Sequence, residues 1–295
     1  MKLNGIFLAL LVVIIWGVNF SIIKIGLEEL PPLLFSALRF TVVAIPAVFF
    51  IPFPKTSIWN VLGVGLFLGV LKFGFLFFAM KADASAGLSS LILQAQVFFT
   101  IGLSVFIFKE KINKGQIIGI LVSSLGFSLF FIESGKNITL LGLALILMAA
   151  FFWAVSNVIM KKTKGINLLH FMVWVCLIPP LPLLVLSYYT ETSTPIELVL
   201  SASVKAWSSL IYVSYASTLV AFAIWGWLLR KYSAVSVTPF ALLIPVVGII
   251  TSSFILQERL NNMELIGTLI IMSGLVICVL HNKISNWLKA KLIAC

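Results

Sequence analysis

The chain has 295 residues, 61% apolar and 10% charged, with a net charge of +11. A soluble domain holds roughly 45–50% apolar and about 25% charged residues, so an ordinary soluble enzyme is excluded. The basic residues stand singly or in small groups at the ends of apolar runs, which argues for a membrane and against nucleic acid as partner.

A helix needs about 20 mostly apolar residues to cross hydrocarbon. Residues 5–25, 32–51, 58–80, 87–108 and 116–132 supply five such stretches in the first half. Residues 140–160, 168–188, 206–229, 235–256 and 264–280 supply five in the second. The first stretch exceeds the 7–15 apolar residues usual in a signal peptide and lacks a small-x-small cleavage site, so it reads as a membrane helix. Connections are short, and the longest, 189–205, reads as a loop. With the N-terminus inside, thirteen basic residues fall in inside segments and four in outside loops (Lys81, Lys136, Lys205 and Arg259). That bias predicts both termini inside.

The chain also repeats itself. Shifted by 148, residues 85–126 land on 233–274 without a gap, pairing Ser85, Ala86, Glu110, Gly119 and Gly126 with Ser233, Ala234, Glu258, Gly267 and Gly274. Trp16 and Asn19 with Lys24 are echoed by Trp153 and Asn157 with Lys161. Five helices per half is odd, so the halves must insert in opposite directions, as in many secondary transporters. The expected fold is an all-α integral membrane protein, with ten transmembrane helices as two inverted five-helix repeats around a central cavity. The expected divisions are residues 1–135, residues 136–285 and a cytoplasmic tail at 286–295.

Several stretches resemble the EamA family of the drug/metabolite transporter superfamily. They include Trp16-Gly17-Val18-Asn19-Phe20 with Lys24, Pro31-Pro32 through Arg39-Phe40, Ala86-Gly87-Leu88-Ser89-Ser90-Leu91 to Gln94-Ala95-Gln96, and the paired ends Lys109-Glu110-Lys111 and Gln257-Glu258-Arg259. Pro239 through Pro245-Val246-Val247-Gly248 matches as well. The resemblance covers about residues 1–285. It is strongest to bacterial amino-acid-metabolite exporters of the O-acetylserine/cysteine type. It implies a bundle with a central cavity and peripheral fifth and tenth helices, in the bacterial inner membrane. Lys72 departs from it, since the resemblance implies an uncharged polar residue there.

Charges within the bilayer are costly and mark function or structural clamps. Lys24, Arg39 and Lys72 are the three here. Lys24 lies four residues before Glu28, a spacing that suits a local ion pair. Arg39 suits either a clamp on backbone carbonyls or a ligand site. Lys72 lies too deep for full snorkelling, so either it is neutral or a water cavity or ligand anion meets its charge; in the second case it and Arg39 would favour a carboxylate-bearing solute. The uncharged candidates for a solute pocket are Trp16, Asn19, Gln94, Gln96, Trp153, Asn157 and Trp225, against the alternative of interhelical hydrogen bonding. Thr100, Ser104, Ser214 and Thr218 extend these polar stripes. Gly65-x-x-x-Gly69 and Gly115-x-x-x-Gly119 suit helix contact within the bundle, with a seam to a second copy of the chain as the alternative.

Cys176, Cys278 and Cys295 have no metal-like spacing, His170 and His281 form no cluster, and Asn137-Ile138-Thr139 is a lone glycosylation triplet. No P-loop, nucleophile–base pair or metal motif is present, so no cofactor and no enzyme activity are expected. The partners expected are a small-molecule solute and lipid. Export of small amino-acid-like metabolites is the function expected, with uptake of a metabolite or carriage of a drug or other metabolite by the same fold as the alternative; a lipid-modifying enzyme and a channel are the other classes weighed.

Overall fold

The computed structural model describes residues 2–109, 111–132, 138–163, 165–232 and 237–294, with backbone alone at 130–132, 229–230, 238–239 and 281–294. Glu110, Lys136, Asn137, Ser233, Ala234 and Cys295, named above, lie outside the described residues.

The described residues form helices and turns, with no strand among them. Ten long helices follow in order: α1 (Leu3–Gly26), α2 (Pro32–Val48), α3 (Ile58–Ala82), α4 (Ala86–Phe108), α5 (Lys114–Ile132), α6 (Leu140–Lys161), α7 (Leu168–Thr190), α8 (Val204–Leu228), α9 (Phe240–Ile255) and α10 (Asn262–Ala294). Seven are long and apolar enough to cross a membrane; α2, α5 and α9 offer shorter apolar helices. Phe50, Phe106, Leu121 and Phe254 stand more than half exposed, an apolar surface that lipid would cover.

Sequence punctuation accounts for most helix starts. Ser85, Thr139, Asn167 and Ser203 each accept a backbone N–H of the first turn. Pro32 opens α2 at a position where a missing N–H costs nothing. Asn113 and Gln116 form a reciprocal capping box before α5, and Asn261 and Glu264 form the same box before α10. Lys109 (φ 55°) and Gln257 (φ 56°) are both left-handed. Each of these pairs lies 148 apart, so the repeat read from the sequence extends to the backbone conformation.

The glycine faces of α5 and α10 meet. A Cβ on Gly119 would lie 2.6 Å from Gly274 O, and one on Gly126 would lie 2.9 Å from Gly267 O. Ser123 Oγ donates to Ile271 O at 3.1 Å, between those crossings. Lower numbers in α5 face higher numbers in α10, so the two helices run antiparallel. Gly65 and Gly69 pack on Ile178 and Pro179 of α7, which also puts this small-residue motif to work within the chain.

The connections gather at two ends. Glu28 and Glu29 meet Lys205 and Ser203, Glu191 meets Leu33, and Glu258 meets Ala86. At the opposite end Trp174 Nε1 donates to Ile51 O, and Gly5 packs on Tyr232. Ser203 donates to Glu29 from its hydroxyl and its amide, and these bonds hold that exposed carboxyl below its ordinary pKa.

The last helix runs on to Ala294. Two expectations need correction. Segment 189–205 contains a short helix, Pro195–Ser201, opened by its proline. Lys24 does not pair with Glu28, which forms its ion pair with Lys205 at 2.7 Å.

Gly274→Ala should lower the thermal midpoint in detergent, by the equivalent of about 1–3 kcal/mol for overpacking. Its Cβ would sit 2.2 Å from Ser123 Oγ. Gly102→Ala, where a Cβ meets nothing within 4 Å, is the matched control and should leave the midpoint unchanged.

Candidate functional site

Two helices lose their regular pitch at corresponding places. Gly65–Lys72 of α3 and Tyr212–Val220 of α8 are π-helical turns, a rare conformation often found at functional sites. Widening the turn frees backbone groups and redirects side chains. In α8, Trp16 Nε1 takes up Ser217 O at 3.0 Å, while Thr218 Oγ1 donates five residues back to Val213 O at 3.0 Å.

The α3 turn ends on Lys72, which is 5% exposed. Its ammonium lies 3.4 Å from the Phe73 ring centroid and 4.9 Å from that of Trp153. Arg39, from α2, is 3% exposed and points at the same ring, with Cζ at 4.1 Å. Phe40 and Phe77 complete the aromatic wall around its guanidinium at 5.0 and 5.9 Å. Arg39 Nη2 donates to Thr218 Oγ1 at 2.9 Å, and Ser214 Oγ donates to the Arg39 carbonyl at 3.2 Å. Arg39 Nε and Nη1 are buried with no acceptor. The expected clamp on backbone carbonyls is therefore replaced by one hydroxyl and three ring faces. Among the described residues, no carboxylate lies within ion-pair distance of Arg39 or Lys72.

Energetics make this arrangement unusual. A desolvated cation–π contact contributes about 2 kcal/mol. Effective desolvation of an ion costs several kcal/mol. The rings offset part of that cost and leave the rest uncompensated.

The uncharged candidates divide into two groups and three single residues. The Trp16 and Trp225 rings meet at a tilt with centroids 5.3 Å apart, and Phe222 packs edge-on to Trp16 at 5.4 Å. Asn157 Nδ2 donates to Gln96 Oε1 at 2.7 Å and to Thr100 Oγ1 at 3.2 Å, and Lys161 donates to Ser104 at 3.3 Å. These bonds form a polar ladder between α4 and α6. Asn19 is buried and its Oδ1 has no partner. Gln94 is buried in the 3₁₀ turn Leu93–Ala95 that interrupts α4. Trp153 belongs with Lys72. Lys24 stands apart, since its Nζ donates to Met80 O and, at 2.9 Å, to Ala84 O, closing the end of α3. Surface recesses of about 590 and 670 Å³ are lined by residues such as Leu38, Leu184 and Tyr188, or Leu3 and Phe7, and by none of the predicted site residues.

Sequence reasoning missed two carboxylates. Glu191 accepts from the Leu33 and Leu34 amides at 2.9 and 3.1 Å. Glu258 accepts from the Ala86 and Gly87 amides at 2.8 and 3.1 Å. Each caps the positive end of a helix distant in sequence. It also missed Phe73, whose contact with two cations is invisible in an apolar run.

The family model described as the EamA-like transporter family matches residues 3–132 and 140–280. The chain belongs to that family. Among its relatives in the EamA family is a Salmonella typhimurium protein named probable amino-acid metabolite efflux pump. It is 42% identical over 281 residues, covering 92% of this chain and 94% of its own. An Escherichia coli protein of the same name is 40% identical over 290 residues, covering 96% of each chain. A solved crystal structure 16% identical superposes with a TM-score of 0.63 over 95% of this chain and 98% of its own, a likeness of fold. This EamA-family chain is a multi-pass membrane transporter, and transport rather than enzyme chemistry is its function.

The geometry of Lys24 yields a prediction. Lys24→Met removes two bonds to the end of α3 and should lower the thermal midpoint. Transport per folded molecule should be unchanged; a selective loss of solute affinity would return Lys24 to the site.

Proposed function

We propose that the chain is a secondary carrier that exports small amino-acid-like metabolites across the bacterial inner membrane by alternating access. Two inverted five-helix units, residues 1–135 and 136–285, would supply the ten crossings, with both termini inside. The observation that carries this reading is the antiparallel crossing of α5 and α10, in which Gly119 meets Gly274 and Gly126 meets Gly267, two contacts that the shift of 148 interchanges as a local two-fold would. Units of opposite polarity with a site between them are the architecture of alternating access. The gathering of loops at two ends supports the passage of α2, α5 and α9 despite their length. The names of the Salmonella and Escherichia relatives support the solute class.

The solute site in this reading comprises Arg39, Lys72 and Trp153, the Trp16–Trp225 pair, Asn19 and Gln94, and the Gln96–Asn157 ladder. Buried polar groups that lack a partner in the empty carrier are the ones a solute can satisfy. Asn19 Oδ1 is such a group, suited to an ammonium or hydroxyl donor.

Radiolabelled counterflow in proteoliposomes tests the proposal with a panel of amino acids and nucleosides. Saturable counterflow of an amino acid is expected, and flux without saturation or counterflow would point to a channel. Asn19→Leu should abolish counterflow while leaving the thermal midpoint intact, because it removes an acceptor that makes no bond in the protein. Unchanged counterflow in that variant would remove Asn19 from the site.

A further inference from the structure

We infer that Arg39, Lys72 and the Phe73 ring form a receptor for a carboxylate of the transported solute, built between the two π-helical turns. This rests on the carrier reading above and names the group on the cargo that the site recognises.

Three observations converge. First, both cations lie within 4.1 Å of one ring centroid, so two like charges are held close together in the interior. The Phe73 ring contacts both without neutralising either. Second, their donors are unspent. Arg39 uses Nη2 on Thr218, while Nε and Nη1 have no acceptor. The Lys72 ammonium touches only ring faces among the described residues, although it carries three N–H donors. Third, the geometry is held from both halves. Lys72 closes the π-turn of α3, and Thr218, which holds Arg39, lies in the π-turn of α8. A carboxylate supplies what is missing: acceptor oxygens for both side chains and a charge to offset theirs. An uncharged amide offers one oxygen and no charge.

The protein's own groups thus leave an uncompensated charge pair that a solute anion relieves. A purely structural pair predicts that removing one member weakens the fold. A receptor for an absent ligand predicts the reverse.

The test uses the full chain in detergent, with thermal unfolding followed by tryptophan fluorescence. The probes are sodium propionate, propionamide and sodium chloride, the last matched in ionic strength. Propionate should raise the midpoint, and propionamide and chloride should not. Lys72→Met should start at or above the wild-type midpoint and bind propionate at least about tenfold more weakly. Lys72→Gln serves where the methionine variant does not fold, with the same weakening expected. Equal shifts from propionate and propionamide, or an equal shift from chloride, would overturn the receptor. So would a Lys72→Met protein that melts lower yet responds fully to propionate. Amino-acid counterflow that persists without propionate discrimination would sink the receptor and leave the carrier. A propionate response without counterflow of any amino acid would do the opposite.

Discussion

Placing charge in a low-dielectric interior without a counter-charge is the constraint that orders this molecule. Arg39 and Lys72 are both nearly inaccessible, and no carboxylate of the described residues meets them. Aromatic faces and one threonine hydroxyl are what the protein supplies instead. An incompletely paired cation pair makes an anion the favoured occupant.

The helices around that pair deal with the same shortage of water by other means. Backbone groups in hydrocarbon must find partners inside the protein. The π-turn of α8 is accordingly tied by long-range bonds. Trp16 takes the Ser217 carbonyl, and Tyr212 O–H donates to Ile15 O at 2.9 Å. The free amides of α2 and α4 go to Glu191 and Glu258. Glu191 and Glu258 therefore sit at a connection-bearing end of the bundle, where they cap helices, while Arg39 and Lys72 occupy the interior. That separation leaves the cation pair open to an external partner.

Much of the fold was legible because membrane helices announce themselves by composition, and because Gly119, Gly126, Gly267 and Gly274 repeat at a fixed shift and spacing. The glycine faces found one another as their spacing implies. Lys24 was misread because an acid four residues away is visible in sequence, whereas the Met80 and Ala84 carbonyls, 56 and 60 residues away, are not. The π-turns left no signature, since they are imposed by packing of α3 on α7 and of α8 on α1. The two charges were legible as outliers. Their shared ring was not, because Phe73 is one phenylalanine among 25.

Direct location of the bound anion tests the central claim most sharply. A crystal of the full chain grown with 3-bromopropionate would mark the carboxylate-bearing molecule by anomalous scattering from bromine. The account predicts a single strong peak beside Phe73, with carboxylate density between Arg39 and Lys72. A fully occupied peak elsewhere in the bundle, with the two cations unchanged and unliganded, would contradict it.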